Sequence, residues 1–447
     1  MAMERELARD LLSKVRDRGA TEADVLVVET DSSTTQVRLR EIEALKSARE
    51  RRIHLRVMFG KSSAATSTSD FSRRALDQLV DETCTLARAT APDEYLGLPG
   101  PEALAKSIPD LGLFDATAQE LGVEERIALA KQSESAALDY DSRIVNSEGA
   151  GLDTHESQIV YANTHGFVGE YRTSTFSLAV SPIAGEGGVM QRDSWYSVSR
   201  TFKGLEAPEA VGVTAAKRAL RRLGARKVPT QDAPIVFDPD MAASLLRTIA
   251  GAASGTSIYR GASFLLNRLG EQVAADSVTV IDDGTIPGAL GSRPFDGEGV
   301  PTRRTAVVEH GVLQSYLLDT YCARRLGLTS TGNAAREAGG ISVGSTNLYL
   351  VPGTYTPEEI IGSVKSGLYL TELIGFGVNM VTGDYSRGAV GLWIENGELT
   401  YPVEEITIAG NLLEMWRHID MVGNDLVFRG RTAAPTLKIE RMTIAGN

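Results

Sequence analysis

Thiol chemistry has almost no foothold in this chain. Of 447 residues only Cys84 and Cys322 are cysteine, too few for a disulfide framework, and no CxxC occurs. A reducing compartment fits that usage, so the expected location is the cytoplasm. Histidine is scarce as well. His54, His155, His165, His310 and His418 are the full set, and none stands four or five residues from another, the spacing that pairs imidazoles on a helix. His155-Glu156 begins like HExxH, but Ile159 fills the second histidine position. No run approaches the ~18 apolar residues of a membrane span. The first stretch, MAMERELARDLLSK, is charged and amphipathic and lacks the apolar core of a secretory signal. Basic residues are outnumbered 46 to 58, for a net charge of −12. A general nucleic-acid surface would be basic, so direct nucleic-acid binding is not expected. Fixed-period repeats and low-complexity tracts are absent too.

What remains is an ordinary soluble composition, 42% hydrophobic and 23% charged, with length enough for two or three domains. Leu7, Leu11, Leu12 and Val15 recur at helical spacing, so residues 2–18 read as a helix that Gly19 ends. Strands are expected at 23–30, 34–40, 52–59 and 61–70, and a second helix at 71–90. Residues 91–113 carry Pro92, Pro99, Pro101 and Pro109 among glycines and read as a linker. A helix is expected at 123–140, a β-rich run at 144–202, a helix at 208–223 and a second linker at 225–230. The rest mixes strands with helices. It includes a strand at 234–237, a helix at 241–253 capped by Asp238 or Asp240, a strand at 277–281 and a hairpin around His310-Gly311. The expected division is an α/β domain over 1–90, a linker over 91–113, a β-rich domain over 114–225 and a mixed α/β domain over 230–447. The fold class is therefore α+β.

Familiar catalytic patterns do not appear. There is no GxSxG elbow. Gly375-Phe376-Gly377 is a fragment of a dinucleotide fingerprint with Met380 at the third glycine, and the glycines at 251 and 255 lack a P-loop lysine. Asp282-Asp283 could hold a cation, but a turn before Gly284 explains it better.

One stretch stands out: GFGVNMVTGDYSRGAVGLWIENGELTYPVEEITIAGN, residues 375–411. A glycine-dense run leads into a charged turn at 382–388. A strand follows at 389–395, and Asn396-Gly397 closes a two-residue hairpin, whose central positions need positive φ. The return strand runs to Ala409, where Gly410-Asn411 opens a helix. Thr382, Gly383, Asp384, Tyr385 and Arg387 are candidates for a cleft that contacts substrate. The plain structural reading is a tight hairpin with Asp384 and Arg387 paired locally.

The words VTGDYSRGA, WIENGE and YPVEEITIAGN resemble the C-terminal signature of the TldD/PmbA family, the so-called modulators of DNA gyrase. NSEGAG, YANTHGF, MQRDSWYS and GEQVAADSVTVIDDGT match in order, so the resemblance covers nearly the whole chain. It is greatest to the PmbA branch, also called TldE. The resemblance implies a C-terminal mixed sheet curled into a barrel-like shape. It also implies two kinds of subunit, of which the TldD kind is a zinc metalloprotease with an HExxxH helix read as LLHEAVGH. The corresponding segment here is Leu245-Leu246-Arg247-Thr248-Ile249-Ala250-Gly251-Ala252. Arg247 stands at the first ligand position, Thr248 at the catalytic glutamate and Ala252 at the second histidine. The family's third ligand, a cysteine near the C-terminus, has no counterpart over 424–438. Guanidinium and methyl groups offer zinc no lone pair.

The expectation is accordingly a non-catalytic, metal-free TldE-like subunit. No cofactor is expected in this chain, and zinc only in a TldD-like partner. The pair would process peptides or unfolded polypeptides, this chain shaping the channel, where an extended peptide can add to a sheet edge. A homo- or heterodimer is expected. The alternatives are a metal-independent hydrolase using Asp384, Tyr385 and Arg387, and a regulatory protein acting on gyrase or another protein.

Overall fold

The computed structural model describes residues 2–337 and 340–446. Met1 and Asn447, the outer ends of the first and last expected domains, lie outside the described residues. Helix α1 (Ala2–Asp17) leads into three strands, β1 (Glu22–Arg38), β2 (Glu41–Phe59) and β3 (Ser62–Thr68), and then helix α2 (Arg73–Ala89). Ser72 caps α2 by accepting from the Ala75 amide. The apolar stripes of α1 and α2, with Leu11, Val15, Leu79 and Val80, close over Val25, Ile53 and Leu55 of the sheet.

After the proline-rich stretch come a one-turn helix, α3 (Thr117–Glu120), and α4 (Val123–Leu138). Four strands follow, β4 (Ile144–Asn163), β5 (Val168–Glu186), β6 (Val189–Arg192) and β7 (Trp195–Ser199), and then α5 (Pro208–Leu220). These strands join the first three. The order is β3-β2-β1-β4-β5-β6, with β7 also on β5, and β1 meets β4 antiparallel over its length. One seven-stranded sheet thus spans both stretches, with α4 and α5 packed on it through Ala130, Ala137, Val211 and Ala215.

Strands β1 and β2 are longer than expected. The reading of 34–40 as a separate strand is corrected: residues 34–38 are the far end of β1, and Leu39-Arg40 turn into β2. The near half of β2, residues 41–52, is exposed on both faces. No period-2 alternation marks it, because neither face is buried.

The C-terminal part runs β8 (Gln231–Phe237), α6 (Pro239–Ala253), α7 (Gly255–Tyr259), β9 (Val280–Asp283), β10 (Arg304–Glu309), β11 (Val312–Leu313) and α8 (Thr320–Leu326). It continues through β12 (Ala334–Glu337), β13 (Gly340–Val343), β14 (Leu348–Leu350), α9 (Pro357–Gly362), β15 (Ser366–Ile374), β16 (Asp384–Glu395) and β17 (Glu398–Asn411). It ends with α10 (Leu412–Arg417), β18 (Ile419–Val422), β19 (Thr432–Ala433) and β20 (Leu437–Ala445). Strands β17, β16, β15, β8 and β20 pair in sequence, and β20 returns to β17, closing a five-strand mixed barrel. Only β8–β15 is parallel among them. The barrel-like expectation therefore holds. Ile235, Phe237, Leu370, Ile408 and Ile439 fill one continuous core with the apolar face of α6. Across the boundary with the N-terminal sheet, buried Asp24 takes Arg56 on one oxygen and Arg336 of β12 on the other, at 2.5 Å each.

Candidate functional site

Helix α6 is the element around which the site is assembled. Asp238 caps it, its carboxylate accepting from the Met241 amide at 2.9 Å, and Pro239 follows with its φ already helical. Ala242, Leu245, Leu246, Ile249 and Ala252 recur every three or four residues and are buried, which fixes the helix on the barrel. The outward stripe carries Ser244, Arg247 and Thr248.

The three positions at which the resemblance implies metal chemistry have different surroundings. Ala252 is fully buried among apolar side chains. Thr248 turns its hydroxyl back to donate to the Leu245 carbonyl at 2.6 Å. Arg247 is exposed and reaches a cleft of about 370 Å³ bounded by Trp195 and Tyr196 of β7, Arg218 of α5, the start of α6 and the segment 427–434. Crowding by protein lowers its guanidinium from the ordinary range, with Arg387 adding repulsion, while Tyr196 and Asp240 oppose this. Arginine stays charged throughout. Arg429 and Arg431 complete the lining, and Arg429 stacks its guanidinium 4.4 Å from the Trp195 ring centroid. Among the described residues, no three His, Cys, Asp or Glu side chains come together as a metal site would need.

The second candidate region meets the same outward stripe of the helix, at Ser244. Residues 382–388 were expected as a turn, but strand β16 begins at Asp384. Its pairings include Asp384 with Asn411 and Tyr385 with Gly410. The reversal falls earlier, where the Gly377 carbonyl accepts from the Ser386 amide at 2.7 Å. A Cβ on Gly377 would stand 1.8 Å from the Ser386 carbonyl oxygen, so only glycine allows that approach. Asn396 and Gly397 both have positive φ, 52° and 85°, as their hairpin requires.

Strand alternation separates the signature residues. Asp384 faces solvent and accepts from the Thr382 hydroxyl at 2.6 Å, while Gly383 is buried beneath. Tyr385 and Arg387 point the opposite way. The expected Asp384–Arg387 pair does not form; Arg387 donates instead to Ser244 Oγ of α6 at 3.3 Å and to the Leu373 carbonyl at 3.4 Å. Tyr385 lies in the core, 2% exposed. Burial pushes its phenol up to about 12, with Arg387 opposing. The signature strand therefore touches the metal-position helix through Arg387, with Tyr385 beneath the surface. Asp384, Tyr385 and Arg387 do not converge on one point.

The remaining candidates are structural. Asp282 is buried in β9 and accepts from Asn333 and from the Thr346 amide; Asp283 accepts from Thr285. They end a strand rather than form the turn expected there. His165 bonds Glu22 at 3.0 Å, and His418 sits on the Glu414 carbonyl at the end of α10. Sequence reasoning missed the arginine lining. Arg218, Arg247, Arg429 and Arg431 are scattered over more than 200 residues and meet only in the fold. One signal was available: the family-like segment MQRDSWYS contributes Trp195 and Tyr196, and the cysteine-free stretch 424–438 contributes Arg429 and Arg431.

Three family models match the chain in order: PmbA/TldA metallopeptidase domain 1 over residues 23–87, the central domain over 117–223 and the C-terminal domain over 230–446. The chain is 39% identical to the metalloprotease PmbA of Escherichia coli O157:H7 over 424 residues, covering 95% of this chain and 92% of that protein. It is 37% identical to a metalloprotease PmbA homolog of Haemophilus influenzae, covering 100% and 97%. Among solved structures it resembles a protein from Bacteroides thetaiotaomicron described as a modulator of DNA gyrase, with a TM-score of 0.93 at 30% identity and 100% of both chains covered.

Proposed function

The chain belongs to the PmbA/TldD metallopeptidase family, and from that premise we propose that it is the metal-free subunit of a two-subunit protease. Its partner is a TldD-like chain that carries the zinc, and their substrates are peptides or unfolded polypeptides. The observation that carries this reading is the donor set on α6. At the two ligand positions stand a charged guanidinium, Arg247, and a fully buried methyl group, Ala252. Neither can bind a divalent ion, and the residues do not suit zinc. No step of hydrolysis is assigned to them.

The alternative of a metal-independent hydrolase draws no support from Asp384, Tyr385 and Arg387, because Asp384 faces solvent on the opposite side of the strand from Tyr385 and Arg387, and Tyr385 is buried. A regulator of gyrase would reveal itself by capturing that enzyme. Among the described residues, no helix is long and apolar enough to cross a membrane.

The test uses the purified chain alone and mixed with a TldD-like chain. Elemental analysis after dialysis is expected to find no stoichiometric zinc in this chain. Peptidase activity should appear only in the mixture, and light scattering should find a dimer, with itself or with the partner. About one tightly held zinc per chain, or hydrolysis by this chain alone, would overturn the reading.

A further inference from the structure

The cleft beside α6 carries an electrostatic character opposite to that of the whole chain. Its lining holds four arginines, Arg218, Arg247, Arg429 and Arg431, against one carboxylate, Asp240, in a protein of net charge −12. A concave, partly dry cleft concentrates such a field. The arginines are also incompletely used. Arg218 is paired with Asp193 at 3.1 Å. Among the described residues, the Arg247 and Arg431 side chains form no hydrogen bond or ion pair, and the buried Nε of Arg429 has no partner. Structural arginines in protein cores pair with carboxylates, as Arg56 does with Asp24 here; four gathered guanidiniums with spare donors fit an oxyanion from outside.

The geometry points to an anion-binding site in this cleft that takes the carboxylates of an acidic polypeptide segment. Guanidinium forks recognise carboxylates in bidentate fashion. Asp240, inside the same cleft and without an ion-pair partner, offers an acceptor for the N–H groups that a peptide has and a simple anion lacks. The volume of about 370 Å³ suits a short stretch of chain. The site would draw acidic segments to the stripe of α6 that carries Arg247. The cationic cleft stands on its own residues; the choice of polypeptide as carrier of the carboxylates rests on the proposed subunit reading.

The test uses the isolated chain and its own fluorescence. Of three tryptophans, Trp393 and Trp416 are buried, and Trp195 lines the cleft. Titration with tetraglutamate should give a saturable change that weakens as sodium chloride is raised. Tetraglutamine should give none. Arg247→Glu should weaken tetraglutamate by about tenfold or more, the scale of one lost charge-assisted hydrogen bond, and Arg431→Glu should do the same from a second exposed position. Binding unchanged in both folded variants would overturn the site. So would no saturable binding, or inorganic phosphate binding while tetraglutamate does not. Zinc content and partner-dependent hydrolysis are separate measurements, so this inference and the subunit reading can fail independently.

Discussion

Two neighbouring regions along the outward stripe of helix α6 differ in how their polar groups are satisfied. The signature strand, whose residues are compositionally odd and contiguous, meets the stripe at Ser244. Most of its groups are engaged, Asp384 with Thr382 and Arg387 with Ser244 and Leu373, although the Tyr385 hydroxyl and Arg387 Nε are buried without a partner. The arginine cleft meets the stripe at Arg247 and is assembled from four separate segments, with Arg247 and Arg431 making no side-chain bond among the described residues. A conspicuous word in a sequence can mark a demanding piece of structure, here two backbones in contact at Gly377 and Ser386. Unspent chemistry can gather from positions that no local pattern connects.

Mutations should separate the two regions by the size of their effect on stability. The largest is expected at Tyr385. Replacing this buried ring by alanine leaves a cavity in the barrel core, for a loss of about 3–5 kcal/mol. Tyr385→Phe should cost far less, because the hydroxyl is buried without a hydrogen bond. Urea denaturation of both variants checks the pair; an alanine variant as stable as the parent would return Tyr385 to the surface. Next comes Gly377→Ala. The added methyl meets the Ser386 carbonyl, so the reversal must open, at about 1–3 kcal/mol. A melting temperature unchanged by that substitution would mean the two backbones do not touch.

Much of this was legible before the structure, and what was missed has a physical pattern. Helix α6 was readable from its apolar spacing and its cap. The Asn396-Gly397 hairpin was readable because only a few residues accept positive φ at both positions. Closure of the barrel was implied only by resemblance, since no local signal says that β20 returns to β17. The start of β16 was missed although Asp384 to Arg387 alternates exposed and buried; the surrounding glycines dominated the reading. The union of the N-terminal and middle strands in one sheet depends on β1 meeting β4 across more than 100 residues, and pairing at that range leaves no mark in either strand alone. The cleft was missed for the same reason, since charge that converges through tertiary structure looks like dispersed surface charge in sequence.

A smaller effect is expected at the base of α6, and it depends on pH. Burial raises the Asp238 carboxyl to about 7 from 3.8. Between those values the folded chain holds a proton that the unfolded chain has released. This contribution therefore favours folding at low pH and fades as pH rises toward 7. Asp238→Asn keeps the cap and removes the charge. Its stability relative to the parent should be near zero at about pH 4, rise with pH and level off above 7, at about 1–3 kcal/mol. Denaturation series at several pH values check this. An advantage that shrinks with rising pH would have the wrong sign.

The smallest change should come from Arg247, and its smallness separates the two regions. Arg247 is exposed, makes no ion pair among the described residues and lies near other arginines. Removing its guanidinium breaks no internal contact and relieves like-charge repulsion from Arg387. Arg247→Ala should therefore alter stability by no more than about 0.5 kcal/mol in either direction, the range of an ordinary surface substitution. Arg387→Ala provides the contrast: it takes donors from Ser244 and the Leu373 carbonyl and should cost more, about 1 kcal/mol. Matched denaturation curves for the two variants decide the point. If Arg247→Ala were the more destabilising, its guanidinium would be holding the helix in place, and the cleft would be as internally committed as the signature strand. If the order is as expected, the arginine serves no structural purpose that its neighbours reveal, and its charge is directed at something outside the chain.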